Sequence, residues 1–158
     1  PFTIYKDQAD IYHNMYLNIH NLWLIWGDYY NYFKIFSIIL TLVICGLGLY
    51  AILSGYKAID SGENYLNTAC WFVWTCILFL PGMHERYTYL LDILLVLLCF
   101  IDKKYIKYAT VSFLLSFITY SNYLLGNDGN RPAYALLFII SWVHYTYAIL
   151  CTPQVNSK

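Results

Sequence analysis

The chain has 158 residues, of which 60% are hydrophobic, 20% aromatic and only 11% charged, and its formal net charge is zero. Soluble domains carry about 25% charged residues, so this deficit, with a mean hydropathy of +0.51, points to an all-α polytopic membrane protein. Zero net charge leaves no basic footprint for nucleic acid.

The first residue is Pro1, and residues 1–33 hold Lys6, Asp7, Asp10, His13, His20 and Asp28. No charged stretch precedes an apolar run there, so no signal peptide is visible, and the sequence reads as the C-terminal part of a longer protein. The charges exclude a membrane span. Tyr12, Tyr16, Ile19, Trp23, Trp26 and Tyr30 nevertheless recur at alternating steps of four and three, which is one helical face. Tyr and Trp favour the membrane–water interface. The spacing therefore predicts an extracytoplasmic, interfacial or re-entrant helix over 1–33; a helix packed on other protein fits as well.

Residues 34–158 form the predicted transmembrane domain. Five apolar segments follow one another at 35–53, 65–80, 87–101, 108–125 and 132–151. The second and third are shorter than the roughly 20 residues a bilayer requires. They reach that length only by taking in the connection between them. Pro132 suits the first turn of the last helix, where its missing N–H costs nothing. Cys45, Cys70, Cys76, Cys99 and Cys151 lie in or beside apolar runs, without C-x-x-C spacing or neighbouring histidines. They read as small buried hydrophobes.

Lysine and arginine set the orientation. Lys57, Lys103, Lys104, Lys107 and Lys158 fall on one side, and Lys6, Lys34, Arg86 and Arg131 on the other. The dense cluster 103–107 places the first group, with the C-terminus, in the cytoplasm. The N-terminal segment, the turn at 82–87 and the loop at 126–131 then face outward and can converge on one pocket.

The short connection Gly82-Met83-His84-Glu85-Arg86-Tyr87 sets three ionisable side chains between two apolar segments. Charges so close to a bilayer are costly and count as a functional hypothesis. Arg86 carries a planar, permanently charged fork suited to phosphate. Glu85 can orient it or act as a base, and His84 can donate to phosphate or shuttle a proton. Equally, Glu85 and Arg86 can pair with each other or with headgroups. Asp92 lies seven residues after Glu85 on the same helical face; it can support the turn, but an interhelical hydrogen bond is the simpler role. His144, among Trp142, Tyr145 and Tyr147, reads as a packing residue. His13 and His20 share a helical face without a third ligand, and His84-Glu85 lacks the second histidine of H-E-x-x-H because position 88 is Thr. No metal site is read from these residues.

The run Pro81-Gly82-Met83-His84-Glu85-Arg86-Tyr87, ending one apolar segment and opening the next, resembles the Met-His-Glu-Arg-Tyr motif of bacterial membrane glycosyltransferases of the GT-C superfamily. Upstream, Leu17-Asn18-Ile19-His20-Asn21-Leu22-Trp23 resembles the Asn-x-x-Asn-Leu-Trp segment of the same proteins, in the same order, with His20 where they tend to have an aromatic residue. The resemblance implies an enzyme of the bacterial plasma membrane that takes a sugar from a polyprenyl-phosphate donor. The sugar would pass to a glycan, lipid or protein acceptor at the outer face. Carried over by position, His84, Glu85, Arg86 and Tyr87 hold the donor phosphate, Asn18, Asn21 and Trp23 shape the pocket, and Asp92 supports the turn. The family's acidic catalytic residue lies upstream of anything in this chain. A divalent metal is left open, with no ligand set for it here. A surface-polysaccharide polymerase and a non-catalytic scaffold or transporter subunit are the alternatives.

Overall fold

The computed structural model describes residues 13–54, 62–126 and 130–151. Lys6, Asp7, Asp10, Tyr12, Lys57, the C-terminal tail with Lys158 and the centre of the 126–131 loop lie outside the described residues.

The described residues are 84% helical, and the chain is all-α. A two-residue strand β1 (Tyr16–Leu17) leads to the single-turn helix α1 (Trp23–Trp26). The long helices are α2 (Tyr30–Ser54), α3 (Gly62–Phe79), α4 (Thr88–Ile101), α5 (Ile106–Leu125) and α6 (Arg131–Cys151). Between α3 and α4 come strand β2 (Met83–His84) and a 3-10 turn (Glu85–Tyr87), and a second 3-10 turn (Lys103–Tyr105) joins α4 to α5. β1 and β2 pair in parallel, with Tyr16 opposite Met83 and Leu17 opposite His84.

The N-terminal segment departs from the expected helix. Asn18 sits at φ +55°, in the left-handed region that Asn tolerates but a helix cannot contain. Met15 and Ile19, together with Trp23, are almost fully buried, so the segment lies against protein. The expected boundary between residues 33 and 34 cuts through α2, which begins at Tyr30.

Two helices, Tyr30–Ser54 and Arg131–Leu150, are long and apolar enough to cross a membrane, with mean hydropathies of 2.5 and 1.5. α2 buries only a narrow stripe of Tyr30, Ser37, Thr41, Cys45 and Ile52, while Ile35, Leu42, Leu47 and Tyr50 stand exposed. α3 is the central helix and packs on α2, α4 and α6. Its buried residues Cys70, Trp71, Trp74, Thr75, Ile77 and Leu78 cover most of its circumference, as expected of an element surrounded by others. Three threonine hydroxyls are satisfied within their own helix: Thr41 donates to the Ser37 carbonyl, Thr75 to Trp71 and Thr146 to Trp142.

At the end of the bundle that carries the lysines, Lys104 Nζ bonds Glu63 Oε1 at 2.8 Å and Asp102 Oδ2 at 3.0 Å. Tyr105 Oη donates to the same Glu63 oxygen, Asn67 Nδ2 donates to Tyr105 Oη, and Tyr145 Oη donates to Asn67 Oδ1. One chain of hydrogen bonds thus runs from the surface to the fully buried Tyr145. The Lys104 hydrogen bond holds the Glu63 carboxyl below its ordinary range. Burial works against the Lys104 ammonium, but its two carboxylate partners outweigh that and hold it above the usual lysine range. His144 belongs to this end, its Nδ1 2.7 Å from Tyr108 Oη.

α2 meets α3 most closely where the Trp71 indole lies on Gly48; a Cβ added at Gly48 would overlap the ring, whereas one at Gly46 meets nothing within 4 Å. Gly48→Ala is expected to destabilise the protein by about 1–3 kcal/mol. Gly46→Ala should be neutral or slightly stabilising through helix propensity. Thermal unfolding of both variants in detergent checks the pair.

Candidate functional site

The site begins at the C-terminal end of α3. Pro81 has no N–H to continue the helix, and the last carbonyls of a helix have no intrahelical partners. The N-terminal segment supplies those partners. Leu22 N–H donates to the Leu78 carbonyl at 3.3 Å, and the Trp23 indole Nε1 donates to the Phe79 carbonyl at 2.9 Å. Ser37 Oγ, from α2, donates to the same Phe79 oxygen at 2.5 Å. The chain then turns at Gly82, whose φ of +68° is in the left-handed region and whose N–H donates to the Met15 carbonyl at 3.1 Å. Met15 N–H is in turn held by Asp28 Oδ1 at 2.7 Å.

These contacts bring the two resembling motifs together: Asn18, Asn21 and Trp23 lie on one side of the β1–β2 pair and residues 83–87 on the other. Asn21 is fully buried; its Oδ1 accepts from Leu24 N–H at 3.3 Å, while its Nδ2 has no hydrogen-bond partner among the described residues. His84 is half-buried, with its ring 6.0 Å from that of Tyr87. Glu85 is buried at 6% exposure, whereas the Arg86 side chain is 75% exposed. Arg86 Nε stands 3.6 Å from Glu85 Oε1, longer than a direct hydrogen bond, so the guanidinium is only loosely tied and presents its fork outward. Tyr87 is exposed beside it. Thr88 Oγ1 donates to the Glu85 carbonyl and fixes the turn to the start of α4.

Asp92 is buried two helical turns further on and accepts a hydrogen bond from Ser112 Oγ of α5 at 2.5 Å. It touches the interhelical seam and not the exposed turn. His13 and His20 do not share a face. The His13 ring packs on Tyr30, and buried His20 lies on α5 with Nδ1 2.7 Å from Thr119 Oγ1, its ring edge-on to Tyr134 of α6. Among the described residues no group of three or more His, Cys, Asp or Glu side chains is placed to hold a metal ion.

α5 carries a polar stripe that hydropathy alone does not single out. Ser112, Ser116 and Thr119 recur at steps of four and three along this helix, and all three are buried toward α4 and the N-terminal segment. That spacing was visible; without a partner in the sequence it carried no meaning. Four buried polar atoms near this end, Asn21 Nδ2, Ser116 Oγ, Tyr120 Oη and Asn122 Nδ2, lack a well-formed hydrogen bond among the described residues.

No protein-family model, curated protein or solved structure matches the chain.

Burial, reinforced by the positive charge of Arg131, pulls His20 down from 6.5 to about 4. Neutral His20 therefore stabilises the fold fully above about pH 6.5, and that contribution is lost as pH falls toward about 4, where the unfolded chain binds the extra proton. His20→Gln is expected to flatten the pH dependence of thermal stability across this window, by at most about 3 kcal/mol. Unfolding temperatures of both proteins from about pH 7 to about pH 4 check it; equal slopes would refute the burial argument.

Proposed function

We propose that the chain is the C-terminal membrane portion of a GT-C-type glycosyltransferase, which transfers a sugar from a polyprenyl-phosphate donor to a glycan, lipid or protein acceptor. The observation that carries this reading is the parallel pairing of Tyr16–Leu17 with Met83–His84. It sets the Asn-x-x-Asn-Leu-Trp segment beside the His-Glu-Arg-Tyr turn, the two stretches on which the family resemblance rests. The exposed Arg86 fork and neighbouring His84 suit an anion arriving from outside.

In this reading α2 to α6 all lie in the bilayer. α4, at 14 residues and about 21 Å, reaches across only with the 3-10 turns that flank it. The lysine end faces the cytoplasm, and the 82–87 turn faces outward with the start of α6. An acceptor hydroxyl forms its bond to the anomeric carbon as the bond from that carbon to the phosphate oxygen breaks. The departing polyprenyl phosphate takes the electron pair. Arg86 meets the charge that grows on the phosphate, at an interface where a fixed cation is worth more than in water. The carboxylate that activates the acceptor is supplied from outside this chain.

The 3.6 Å approach of Arg86 to buried Glu85 is the observation behind a second reading, in which the turn is a structural ion pair of a non-catalytic scaffold. Transfer from a radiolabelled polyprenyl-phosphate sugar, measured in membranes holding the full-length protein, separates the two. Arg86→Ala at matched expression is expected to lose transfer by about 100-fold or more. Exchanging Glu85 and Arg86, which moves the guanidinium to the buried position, should abolish transfer as well. Unchanged transfer in Arg86→Ala would remove the turn from the donor site.

A further inference from the structure

Beneath the turn lies a small chamber between α4, α5, α6 and the N-terminal segment. His20, Thr88, Ser112, Ser116 and Thr119 form its polar wall, and Phe138 closes one apolar side. It has room for about one water molecule. Asp92 stands behind the wall, bonded to Ser112 Oγ at 2.5 Å. At the other end Thr119 Oγ1 lies 2.7 Å from His20 Nδ1 and 2.8 Å from the Leu115 carbonyl, so its single hydrogen serves one of the two. Ser116, 6% exposed, has its Oγ near the Asp92 carboxylate without a well-formed hydrogen bond. An unmade hydrogen bond at such an atom costs about 1–3 kcal/mol, and a water molecule with two to four polar partners relieves it.

We propose that one water molecule occupies this chamber and joins His20 to Asp92, so that imidazole and carboxyl bind a single proton between them. The transfer balances as a chain of four hydrogen shifts. The Ser112 hydroxyl, which donates to Asp92 Oδ1, first rotates toward the water, so that the neutral acid donates to Ser112 Oγ. The Asp92 proton then passes to Ser112 Oγ, the Ser112 proton to the water, a water proton to Thr119 Oγ1 and the Thr119 proton to His20 Nδ1. Neutral imidazole and neutral carboxyl become imidazolium and carboxylate, and no electron is gained or lost. Other groups that bear on the site are Glu85 and Arg86 of the turn, Tyr89 of α4, Tyr120 of α5, and Arg131 and Tyr134 of α6. Burial first and the Arg131 charge second oppose a proton on His20; in the proposed pair the Asp92 carboxylate is the group that favours one. The two residues then titrate as a pair. This inference does not rest on the glycosyltransferase reading.

The test is an NMR titration of the full chain in detergent micelles with ring-carbon-labelled histidine, the His20 signal being assigned with His20→Gln. In Asp92→Asn the His20 midpoint is expected to fall, with proton affinity weakened about tenfold or more. Thr119→Val, which keeps the volume and removes the relay hydroxyl, should lower it too. An unmoved His20 midpoint in Asp92→Asn, with the His13, His84 and His144 signals intact, would overturn the shared proton. Should Asp92→Asn fail to fold, the wild-type protein still decides. A long-lived water cross-peak to Ile19 or Thr119 is expected, and its absence would overturn the proposal.

Discussion

The carbonyl oxygens at the end of α3 are the constraint on which this end of the molecule depends. Pro81 stops the helix, leaving the Leu78 and Phe79 oxygens facing an apolar interior. An unpaired backbone acceptor there is expensive. Three donors from distant parts of the chain meet the need: Leu22 N–H, the Trp23 indole and the Ser37 hydroxyl. Satisfying the helix end therefore fixes the N-terminal segment in place. The fixed segment offers β1 to β2, and that pairing sets the direction in which residues 83–87 leave the bundle. The exposure of Arg86 and the burial of Glu85 follow from where a helix had to stop.

The two ends of the bundle are built on different terms. At the lysine end, Glu63, Lys104, Tyr105, Asn67 and Tyr145 form a run in which each polar group answers the next. Such a run rigidifies without leaving anything to bind. At the turn end, Asn21, Ser116, Tyr120 and Asn122 retain buried polar atoms without well-formed partners among the described residues, and the Arg86 guanidinium is exposed. Unsatisfied groups cost stability, and of the five such atoms among the described residues only Trp74 Nε1 lies away from the turn end.

Much of the helical layout was legible in the sequence. The apolar run 35–53 lies inside α2, and the runs at 65–80, 87–101, 108–125 and 132–151 fall within one to three residues of α3 to α6. Hydrophobic length is a property of the residues themselves, so it survives without tertiary information. The segment before α2 was misread because its three- and four-residue rhythm arises from a folded-back loop. Tyr16 belongs to a strand pair, Met15 lies off the supposed face yet is fully buried, and Asn18 breaks the helix. At the candidate site, residues 84–86 stood out by charge alone. Ser112, Ser116 and Thr119 did not, because what gives them meaning is His20, about a hundred positions away, and Asp92 on the next helix.

The capping of α3 also bears on how the protein is made. Trp23 and Phe79 are 56 positions apart, and His20 and Thr119 are 99 apart. The ribosome delivers residues 15–23 before the α3 end and α5 that they dock on. Contacts that close such long loops form after the local helices. Residues 15–23 must wait, with the Trp23 indole and Leu22 amide uncommitted to these carbonyls, until α3 has emerged and ended. The stretch that precedes α2 is thus docked only after the helices that follow it.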